Sequence, residues 1–365
     1  MKFIELFINL LKIKFYFSKP VRNNILLYDS HSKPYAEILF KTKNFAIYDT
    51  RYESLNLYVF ILTIFRNGIF NIKHNYKINF LNYVKPRIVY TIIDNNIGFF
   101  KLKNFFPKIF FIADQKGVRD NQFYNICLNH LKKKPIEKLK VDIFFCFGLN
   151  EKERLSKIIQ GKIVPLGNTL NNELKLKKNT SNIKKIAFIS SGHSTKTFLN
   201  RDIKIFKNLN IFCKKNNLKL IFLEKGNRKR YDFLKRRLGF DFSYTESSDN
   251  NVKSKFLKND TLFVFIISTF GYEILSMGLK CVSLNHTQFN HGFKIYKKKG
   301  PFWVNAPSFN YNYGSIVKIV NKVINYDKNK WEKIYKFYSK EILVYDKKNM
   351  GKKKLIKKYS RGSSN

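Results

Sequence analysis

Acidic residues are scarce in this 365-residue sequence, which has 25 Asp and Glu against 70 Lys and Arg and a formal net charge of +45. So large a basic excess is typical of nucleic-acid-binding proteins, because cationic surfaces bind phosphate backbones. The lysines are spread over every segment, however, and Asn, Ile, Phe and Tyr are abundant too, as expected of a coding sequence rich in A and T. No zinc finger, recognition helix or aromatic RNA-binding pattern is present. A nucleic-acid partner is therefore disfavoured, and an anionic membrane surface or phosphorylated substrates are favoured.

Cysteine is rare as well, with four single residues scattered along the chain: Cys127, Cys146, Cys213 and Cys281. No Cys-x-x-Cys pair or Cys/His spacing is present, so we expect buried thiols in a reducing compartment instead of zinc ligands or disulfides. Long apolar runs are missing too, because no stretch reaches the roughly 18 uncharged apolar residues that a membrane-spanning helix needs. These absences favour a cytoplasmic protein.

The N-terminus lacks the small-residue cleavage site of a signal peptide, and Glu5, Lys12 and Lys14 interrupt its apolar run. We predict an amphipathic segment over residues 1–20. Such a segment can lie on a membrane, with apolar residues on one side and lysines on the other, or it can pack on the body of the protein. The first alternative predicts peripheral contact with anionic lipid at the inner face of the cytoplasmic membrane.

Several ligand-binding motifs are absent. The sequence has no G-x-x-x-x-G-K-[S/T] and no G-x-G-x-x-G motif, which disfavours P-loop enzymes and dinucleotide-binding domains. It has no G-x-S-x-G motif either, which disfavours an α/β-hydrolase. No D-x-D pair follows a predicted strand, and we expect neither a metal nor another cofactor. A leaving phosphate group would then be stabilised by backbone N–H groups, a helix dipole and cationic side chains.

Short apolar runs that end in small or polar residues recur along the chain, and most precede a helical pattern. This alternation predicts an α/β fold with parallel sheets. The first half has six predicted strands: Asn24–Tyr28, Phe45–Tyr48, Arg87–Ile93, Lys108–Ile112, Val141–Phe147 and Lys162–Pro165. The second half has five: Lys185–Ser190, Leu218–Leu223, Phe242–Thr245, Thr261–Ile267 and Lys280–Leu284.

The length and the strand pattern predict two Rossmann-like domains facing across a cleft, over residues 21–172 and 185–345. A polar, Lys- and Asn-rich stretch over residues 173–184 is the predicted linker between them. We expect the C-terminal helices to cross back onto the first domain. A basic, disordered tail is predicted over residues 346–365.

The stretch Asn259–Gly278, NDTLFVFIISTFGYEILSMG, is the most informative of the chain. It predicts a buried strand, a hydroxyl pair at Ser268 and Thr269, and a helix that carries Gly271 and Glu273. Helix N-termini at the carboxyl edge of such a sheet suit phosphate groups, and Glu273 could accept hydrogen bonds from a sugar or ribose. The alternative is an ordinary capped helix with an acid that favours its dipole.

Other candidate residues also follow predicted strands. His31 and Asp94 are candidate general bases, and Arg119 could bind a substrate anion. Backbone N–H groups around Ser191, Gly192, His193 and Ser194 could surround a phosphate. The remaining candidates are Gln115, Gly117 and the cation Lys225. Each position also has an ordinary explanation as a turn residue, a helix cap or a solvated side chain.

The segments TIIDNNIGFFKLKNFFPKIFFIADQKGVRD, VDIFFCFGLNEKERL, KIVPLGNTLNN, STFGYEILSMG and GPFWVN resemble, in this order, bacterial surface-carbohydrate biosynthesis proteins of the capsule and lipopolysaccharide type. The likeness spans Asn24 to Asn305 and implies a glycosyltransferase B-type fold. It implies that Ser268, Thr269 and Glu273 hold the donor, while Asp94 and the 115–119 loop face the acceptor. Related sequences often have an acid where this chain has Ile266 and Ile267.

We therefore expect a metal-independent glycosyltransferase of surface polysaccharide or lipopolysaccharide biosynthesis. Its first domain would bind a glycan or lipid-linked glycan acceptor, and its second domain would bind a nucleotide-sugar donor. One alternative is a nucleotide-sugar epimerase of the same fold. The other is a non-catalytic basic protein that binds anionic membrane or nucleic acid.

Overall fold

The computed structural model of this chain describes residues 13–50, 54–119, 121–134, 136–175, 182–190, 196–224, 228–239, 243–246, 260–266, 268–284, 300–304 and 311–362. These residues form thirteen strands: β1 (Lys14–Tyr16), β2 (Ile25–Tyr28), β3 (Ala46–Tyr48), β4 (Ser54–Asn56), β5 (Ile88–Thr91), β6 (Phe110–Asp114), β7 (Lys140–Cys146), β8 (Gln160–Pro165), β9 (Lys185–Ile189), β10 (Lys219–Glu224), β11 (Ser243–Glu246), β12 (Thr261–Phe265) and β13 (Cys281–Ser283).

The α-helices of the same residues are α1 (Lys33–Phe40), α2 (Leu57–Asn67), α3 (Ile72–Val84), α4 (Ile97–Leu102), α5 (Asn121–Lys133), α6 (Leu149–Leu155), α7 (Lys196–Lys215), α8 (Arg228–Leu238), α9 (Thr269–Ser276), α10 (Tyr313–Ile324), α11 (Lys328–Ile342) and α12 (Met350–Gly362). Short 3-10 turns cover Ser30–Ser32, Asn171–Glu173 and Lys347–Asn349.

Six strands of the first half form one parallel sheet in the order β3-β2-β5-β6-β7-β8. Alternate residues pack on opposite faces, as the two-residue period of a strand requires. Leu26 of β2 joins a core with side chains of α2, α3 and α4, whereas Leu27 joins a second core with side chains of α1 and α12. Both faces are therefore covered, which explains the continuous apolar sequences of these strands.

Five strands of the second half form another parallel sheet, in the order β11-β10-β9-β12-β13. All five residues of β12 are buried, and its neighbours β9 and β13 share one core with helices α7, α9, α10 and α11. Every strand predicted from the sequence is found, with ends that differ by at most two residues. The predicted α/β fold with two Rossmann-like domains is confirmed.

The chain returns to the first sheet after α11, as predicted. The backbone N–H of Val344 donates to the Phe147 carbonyl at 2.8 Å. A Cβ on Gly167, whose φ is +67°, would lie 1.9 Å from the Val344 carbonyl oxygen, and one on Gly148 would lie 2.4 Å from the Glu341 carbonyl oxygen. The two glycines thus allow the returning backbone to lie directly on the loops after β7 and β8.

The prediction of a disordered tail over residues 346–365 is wrong for most of its length, because α12 packs on the first sheet. Ile356 is buried in the α1 side of the core, and the Tyr359 ring stacks on Phe110 at 5.5 Å. Lys352, Ile356 and Tyr359 recur at helical spacing. Seven of the residues from 347 to 358 are lysines, and this charge conceals the spacing in the sequence.

The predicted N-terminal amphipathic segment is described only from residue 13 onward. There β1 pairs in parallel with β4, so Lys14–Tyr16 is a strand and not part of an amphipathic helix. Within the described parts of the chain, no helix is both long enough and apolar enough to cross a membrane. All four cysteines are buried thiols, which confirms that part of the sequence analysis. The domain boundaries and the 173–184 linker stay predictions.

A buried ion pair joins α12 to the end of β6. Lys352 Nζ donates to Asp114 Oδ1 at 2.7 Å, and both side chains are fully buried. The same ammonium donates to the Gly167 carbonyl at 2.8 Å and to Thr169 Oγ1 at 2.9 Å. Tyr90 Oη also donates to Asp114, at 2.9 Å. Burial of both charges is tolerated because their hydrogen-bonding groups are engaged by one another and by these neighbours.

We expect Lys352→Met to lower the free energy of unfolding by about 3 to 5 kcal/mol, because it leaves the Asp114 carboxylate buried without its cation. Urea unfolding followed by circular dichroism measures the change. Lys354→Met on the exposed side of α12 is the matched control and should change stability by less than about 0.5 kcal/mol. Lys352→Met combined with Asp114→Leu should recover much of the loss. Equal stability of the two single variants would contradict the role of this ion pair.

Candidate functional site

The two domains touch where their parallel sheets end. The backbone N–H of Val118, in the loop after β6, donates to Thr269 Oγ1 at the start of α9 at 3.3 Å. A Cβ on the neighbouring Gly117 would lie 3.8 Å from the same oxygen. The predicted acceptor-side loop and the predicted donor-side turn are thus in direct contact. This geometry makes the junction between the two carboxyl edges the candidate site.

The donor side consists of the turn after β12 and the first turns of α9. Ser268 is the N-cap residue, and its side chain makes no capping hydrogen bond. Glu273 lies one turn into the helix and is buried. Gly271 has a packing function, because a Cβ there would lie 2.5 Å from the Phe265 ring. A buried carboxylate and a helix N-terminus at one sheet edge can together bind hydroxyl groups and an anion.

The acceptor side contains an ion pair between two predicted residues. Arg119 Nε donates to Asp94 Oδ2 at 2.8 Å, and Arg119 Nη2 donates to the other carboxylate oxygen. Burial by itself lowers the pKa of Arg119, but the charge of Asp94 and the hydrogen bonds to it raise that pKa above its ordinary value. Asp94 is almost completely buried. The structure therefore shows Asp94 engaged by Arg119, and a base role would need this pair to separate.

Gln115 holds the acceptor-side loop in place. Its Nε2 donates to the Gly117 carbonyl at 3.0 Å and to Glu151 Oε2 at 3.2 Å, while its Oε1 accepts from Phe147 N at 2.8 Å. Burial raises the pKa of Glu151, while hydrogen bonds from Tyr124 and Gln115 and the Arg154 charge act against that rise. Gln115 is buried, and it anchors the loop after β6 to Phe147 after β7 and to Glu151 on α6.

A carboxylate–imidazole pair follows β2. His31 Nδ1 lies 2.9 Å from Asp29 Oδ1, and Asp29 Oδ2 accepts from Thr50 Oγ1 at 2.6 Å. Asp29 is buried and has a φ of +107°, a backbone conformation that non-glycine residues rarely adopt. The His31 side chain is 42% exposed. A buried carboxylate that orients an exposed imidazole is the arrangement of a general base.

Tyr35 on α1 links the two sides electrostatically. Burial raises the pKa of this phenol well above its ordinary value, and the negative charges of Glu273, Asp114 and Asp94 raise it further. Carboxylates of both domains thus act on the pKa of one buried phenol. The sequence provides no signal for this residue, because it lies inside a helix and not at the end of a strand.

Lys77 on α3 is a second residue that sequence reasoning missed. Its Nζ lies 5.8 Å from the centroid of the Tyr28 ring and 3.1 Å from the position of a Cβ on Gly98. Burial, together with the charge of Lys73, lowers the pKa of Lys77 to about 8. Tyr28 ends β2 and Gly98 follows β5, so this partly buried cation lies at the level of the carboxyl edge.

The structure brings Asp94, Gln115, Gly117 and Arg119 together around one loop, and it brings Thr269 against that loop. His31 lies with Asp29 after the adjacent strand β2. Four predicted donor-binding residues lie outside the described residues: Ser191, Gly192, His193 and Lys225. The functional roles of all these residues stay predictions.

Two Rossmann-like domains whose parallel sheets meet at their carboxyl edges place this chain in the glycosyltransferase B-type fold class. A family model described as "putative O-antigen biosynthesis protein" matches residues 192–360, which confirms the resemblance to surface-carbohydrate biosynthesis proteins. No curated protein matches the sequence.

Solved structures share the fold. S. aureus MnaA, from a co-structure with UDP, is 13% identical with a TM-score of 0.55, over 96% of this chain and 97% of that chain. A "putative UDP-N-acetylglucosamine 2-epimerase" from Listeria monocytogenes is 14% identical with a TM-score of 0.58, over 97% of each chain. UDP-GlcNAc 2-epimerase from Neisseria meningitidis, bound to UDP-GlcNAc, is 13% identical with a TM-score of 0.55, over 92% and 98%. At this identity the likeness shows the fold.

The lowered pKa of Lys77 predicts a pH dependence of stability. Between pH 8 and 10.5 the unfolded chain holds the Lys77 proton while the folded chain releases it, so the free energy of unfolding should rise with pH in this window. We expect a rise of about 1 to 2 kcal/mol, since the side chain is partly solvated. Lys77→Met should remove this rise and stabilise the protein at pH 7. Urea unfolding at several pH values, with exposed Lys43→Met as the control, measures both effects.

Proposed function

We propose that this protein is a glycosyltransferase that uses a nucleotide-sugar donor in the biosynthesis of a bacterial surface polysaccharide or lipopolysaccharide. The observation that carries the proposal is the contact between Val118 and Thr269, because it joins two carboxyl edges with complementary chemistry. The donor side offers a helix N-terminus and a buried carboxylate. The acceptor side offers an exposed imidazole and a guanidinium.

The donor lies against α9 in this proposal. The first N–H groups of the helix and the Ser268 hydroxyl bind phosphate oxygens, since the positive end of the helix dipole favours an anion. Glu273 accepts hydrogen bonds from hydroxyl groups of the ribose or the sugar. Thr269 has a different role, because its hydroxyl oxygen already accepts the Val118 N–H and holds the domains in register.

His31 is the proposed base. Asp29 orients the ring through Nδ1, so Nε2 can take the proton of an acceptor hydroxyl. Asp94 is a poorer candidate, because Arg119 occupies its carboxylate. Arg119 then holds Asp94 in place and orients the loop that contacts Thr269.

The bond changes follow from these positions. The acceptor oxygen forms a bond to the anomeric carbon of the donor sugar, and its proton moves to His31 Nε2. The bond between that carbon and the phosphate oxygen breaks, and the nucleoside phosphate leaves with the electron pair. Backbone N–H groups at the start of α9 stabilise the departing charge.

The O-antigen family match supports the surface-polysaccharide context. A second candidate function is a nucleotide-sugar epimerase, which is favoured by the similarity over nearly the whole chain to UDP-GlcNAc 2-epimerases. An epimerase acts on the nucleotide sugar alone, whereas a transferase needs an acceptor. This difference separates the two candidates by experiment.

Nucleotide binding tests the donor site. We expect at least one of UDP, UDP-GlcNAc, GDP, GDP-mannose and CMP to raise the melting temperature, because a ligand that binds only the folded state stabilises it. Glu273→Gln should weaken the affinity for the nucleotide sugar that binds by about tenfold, since a charged hydrogen-bond acceptor is replaced by a neutral one. Glu332→Gln on α11 is the exposed control and should behave like the wild type. A panel without any shift, or an unchanged affinity of Glu273→Gln, would refute the donor site.

The reaction is tested with His31→Ala. Transfer of radiolabelled sugar from the bound nucleotide sugar to a bacterial membrane fraction should fall by about 10²- to 10⁴-fold, as expected on loss of a general base. Nucleotide binding should stay unchanged, and His130→Ala on α5 should keep full transfer. Conversion of UDP-GlcNAc into its C2 epimer without any acceptor, detected by NMR, would instead identify an epimerase.

A further inference from the structure

Most of the strongly exposed apolar side chains of the described residues lie on one side of the first domain. Ten of the seventeen are in four neighbouring parts of the chain: Phe15, Tyr16, Phe17 and Val21 near β1; Ile61, Ile64 and Phe65 on α2; Ile69 and Phe70 in the following turn; and Phe105 after α4. We call the surface formed by β1, α2 and residues 68–70 the apolar surface. Monomeric proteins rarely expose a continuous patch of this kind without a partner.

Helix α2 explains why the surface is apolar. Its sequence is apolar around almost its whole circumference, yet only Val59 and Thr63 are buried. Ile61, Ile64 and Phe65 recur at helical spacing and form an exposed stripe. Phe65 is 82% exposed and Phe70 is 85% exposed. A helix of this composition normally has both sides covered, so this stripe indicates a partner of apolar character.

Contacts hold the parts of this surface next to one another. β1 pairs with β4, which leads directly into α2. Lys19 Nζ lies 5.6 Å from the centroid of the Tyr83 ring, and the Arg66 guanidinium lies 5.9 Å from the same centroid. Asn56 Nδ2 donates to the Ser18 carbonyl at 2.9 Å. The exposed aromatic residues near β1 and those near the end of α2 therefore belong to one surface.

The charge of this surface selects the partner. Residues 13–28 and 54–93 contain no Asp or Glu, whereas they contain Lys14, Lys19, Arg22, Arg66 and Lys73. Aromatic side chains flanked by cations suit the interface of a bilayer with anionic lipid, where the rings enter the acyl boundary and the cations bind phosphate groups. A second copy of this chain is disfavoured as the partner, because it would bring the same cations against this surface without any acid to pair them.

We propose that the apolar surface docks the protein on an anionic lipid bilayer. Phe65, Ile69 and Phe70 enter the boundary of the bilayer, while Lys19 and Arg66 bind lipid phosphate groups. This docking is independent of the reaction that the cleft catalyses. Lys77, in the second turn of α3, lies against Tyr28 and Gly98 at the carboxyl edge, so α3 connects the turn at residues 68–70 with that edge.

Vesicle sedimentation tests the proposal with the full-length chain. Wild-type protein should bind phosphatidylcholine vesicles that contain 30% phosphatidylglycerol about tenfold more tightly than vesicles of pure phosphatidylcholine. Salt at 0.5 M should weaken the binding to the anionic vesicles. Phe65→Ser with Phe70→Ser should weaken binding to the anionic vesicles by about tenfold or more. Phe337→Ser with Ile136→Ser is the matched control, because these side chains are 61% and 92% exposed elsewhere, and it should bind like the wild type.

A second pair of variants separates charge from apolar contact. Lys19→Gln with Arg66→Gln should reduce the preference for anionic vesicles and leave binding to neutral vesicles unchanged. Unchanged melting temperatures show that each variant is folded. The proposal would be overturned if the variant Phe65→Ser with Phe70→Ser bound the anionic vesicles as tightly as the wild type. The proposal would also be overturned if that variant changed from dimer to monomer and kept its vesicle binding. The apolar surface would then join two copies of the chain. Loss of all vesicle binding on removal of residues 1–12, with no effect of Phe65 and Phe70, would also overturn it.

Discussion

The buried ion pair between Lys352 and Asp114 is the constraint on which the arrangement of the cleft depends. Asp114 is the last residue of β6, and the loop with Gln115, Gly117 and Arg119 begins immediately after it. Lys352 is reached only after the chain has completed the second domain and crossed back. Because an unpaired buried charge is costly, the pair favours the position of α12 on the first sheet, where Ile356 also packs in the core. The same contact therefore ties the C-terminal helix, the β6 edge and the acceptor-side loop into one unit.

The carboxylates of the cleft differ in what surrounds them. Asp114 and Asp94 are each paired with a cation and almost fully buried, so their charges are used within the protein. Asp29 is buried too, but its partner His31 is exposed, so this pair connects a buried charge to solvent. Glu273 lies on the opposite domain, close enough to contribute to the raised pKa of Tyr35. The partners, and not the positions after strands, therefore separate the carboxylates that are paired inside the protein from the one whose partner reaches solvent.

The apolar surface lies on the first domain, which also forms one side of the cleft, and α3 connects the two. Its first turn follows residues 68–70, and Lys77, one to two turns further on, lies against Tyr28 and Gly98 at the carboxyl edge. An acceptor held in a bilayer would approach the protein beside the entrance of the cleft. Under the two proposals, the protein takes its donor from water and its acceptor from a membrane, as the synthesis of a surface glycan requires.

The strands of the two large sheets, their order along the chain and the fold class could be predicted from the sequence alone, because short apolar runs bounded by polar residues depend only on local pattern, whereas the short strands β1 and β4 were missed. The grouping of Asp94, Gln115 and Arg119 at one edge of the first sheet followed from the rule that parallel strands share an edge, whereas the contact between Val118 and Thr269 was found only in the structure. The partners of the charged residues could not be predicted. Lys352 and Asp114 are separated by 238 residues, and Val118 and Thr269 by 151. Among so many lysines, only the tertiary structure decides which one is buried, because burial of a charge depends on a partner that folding brings to it.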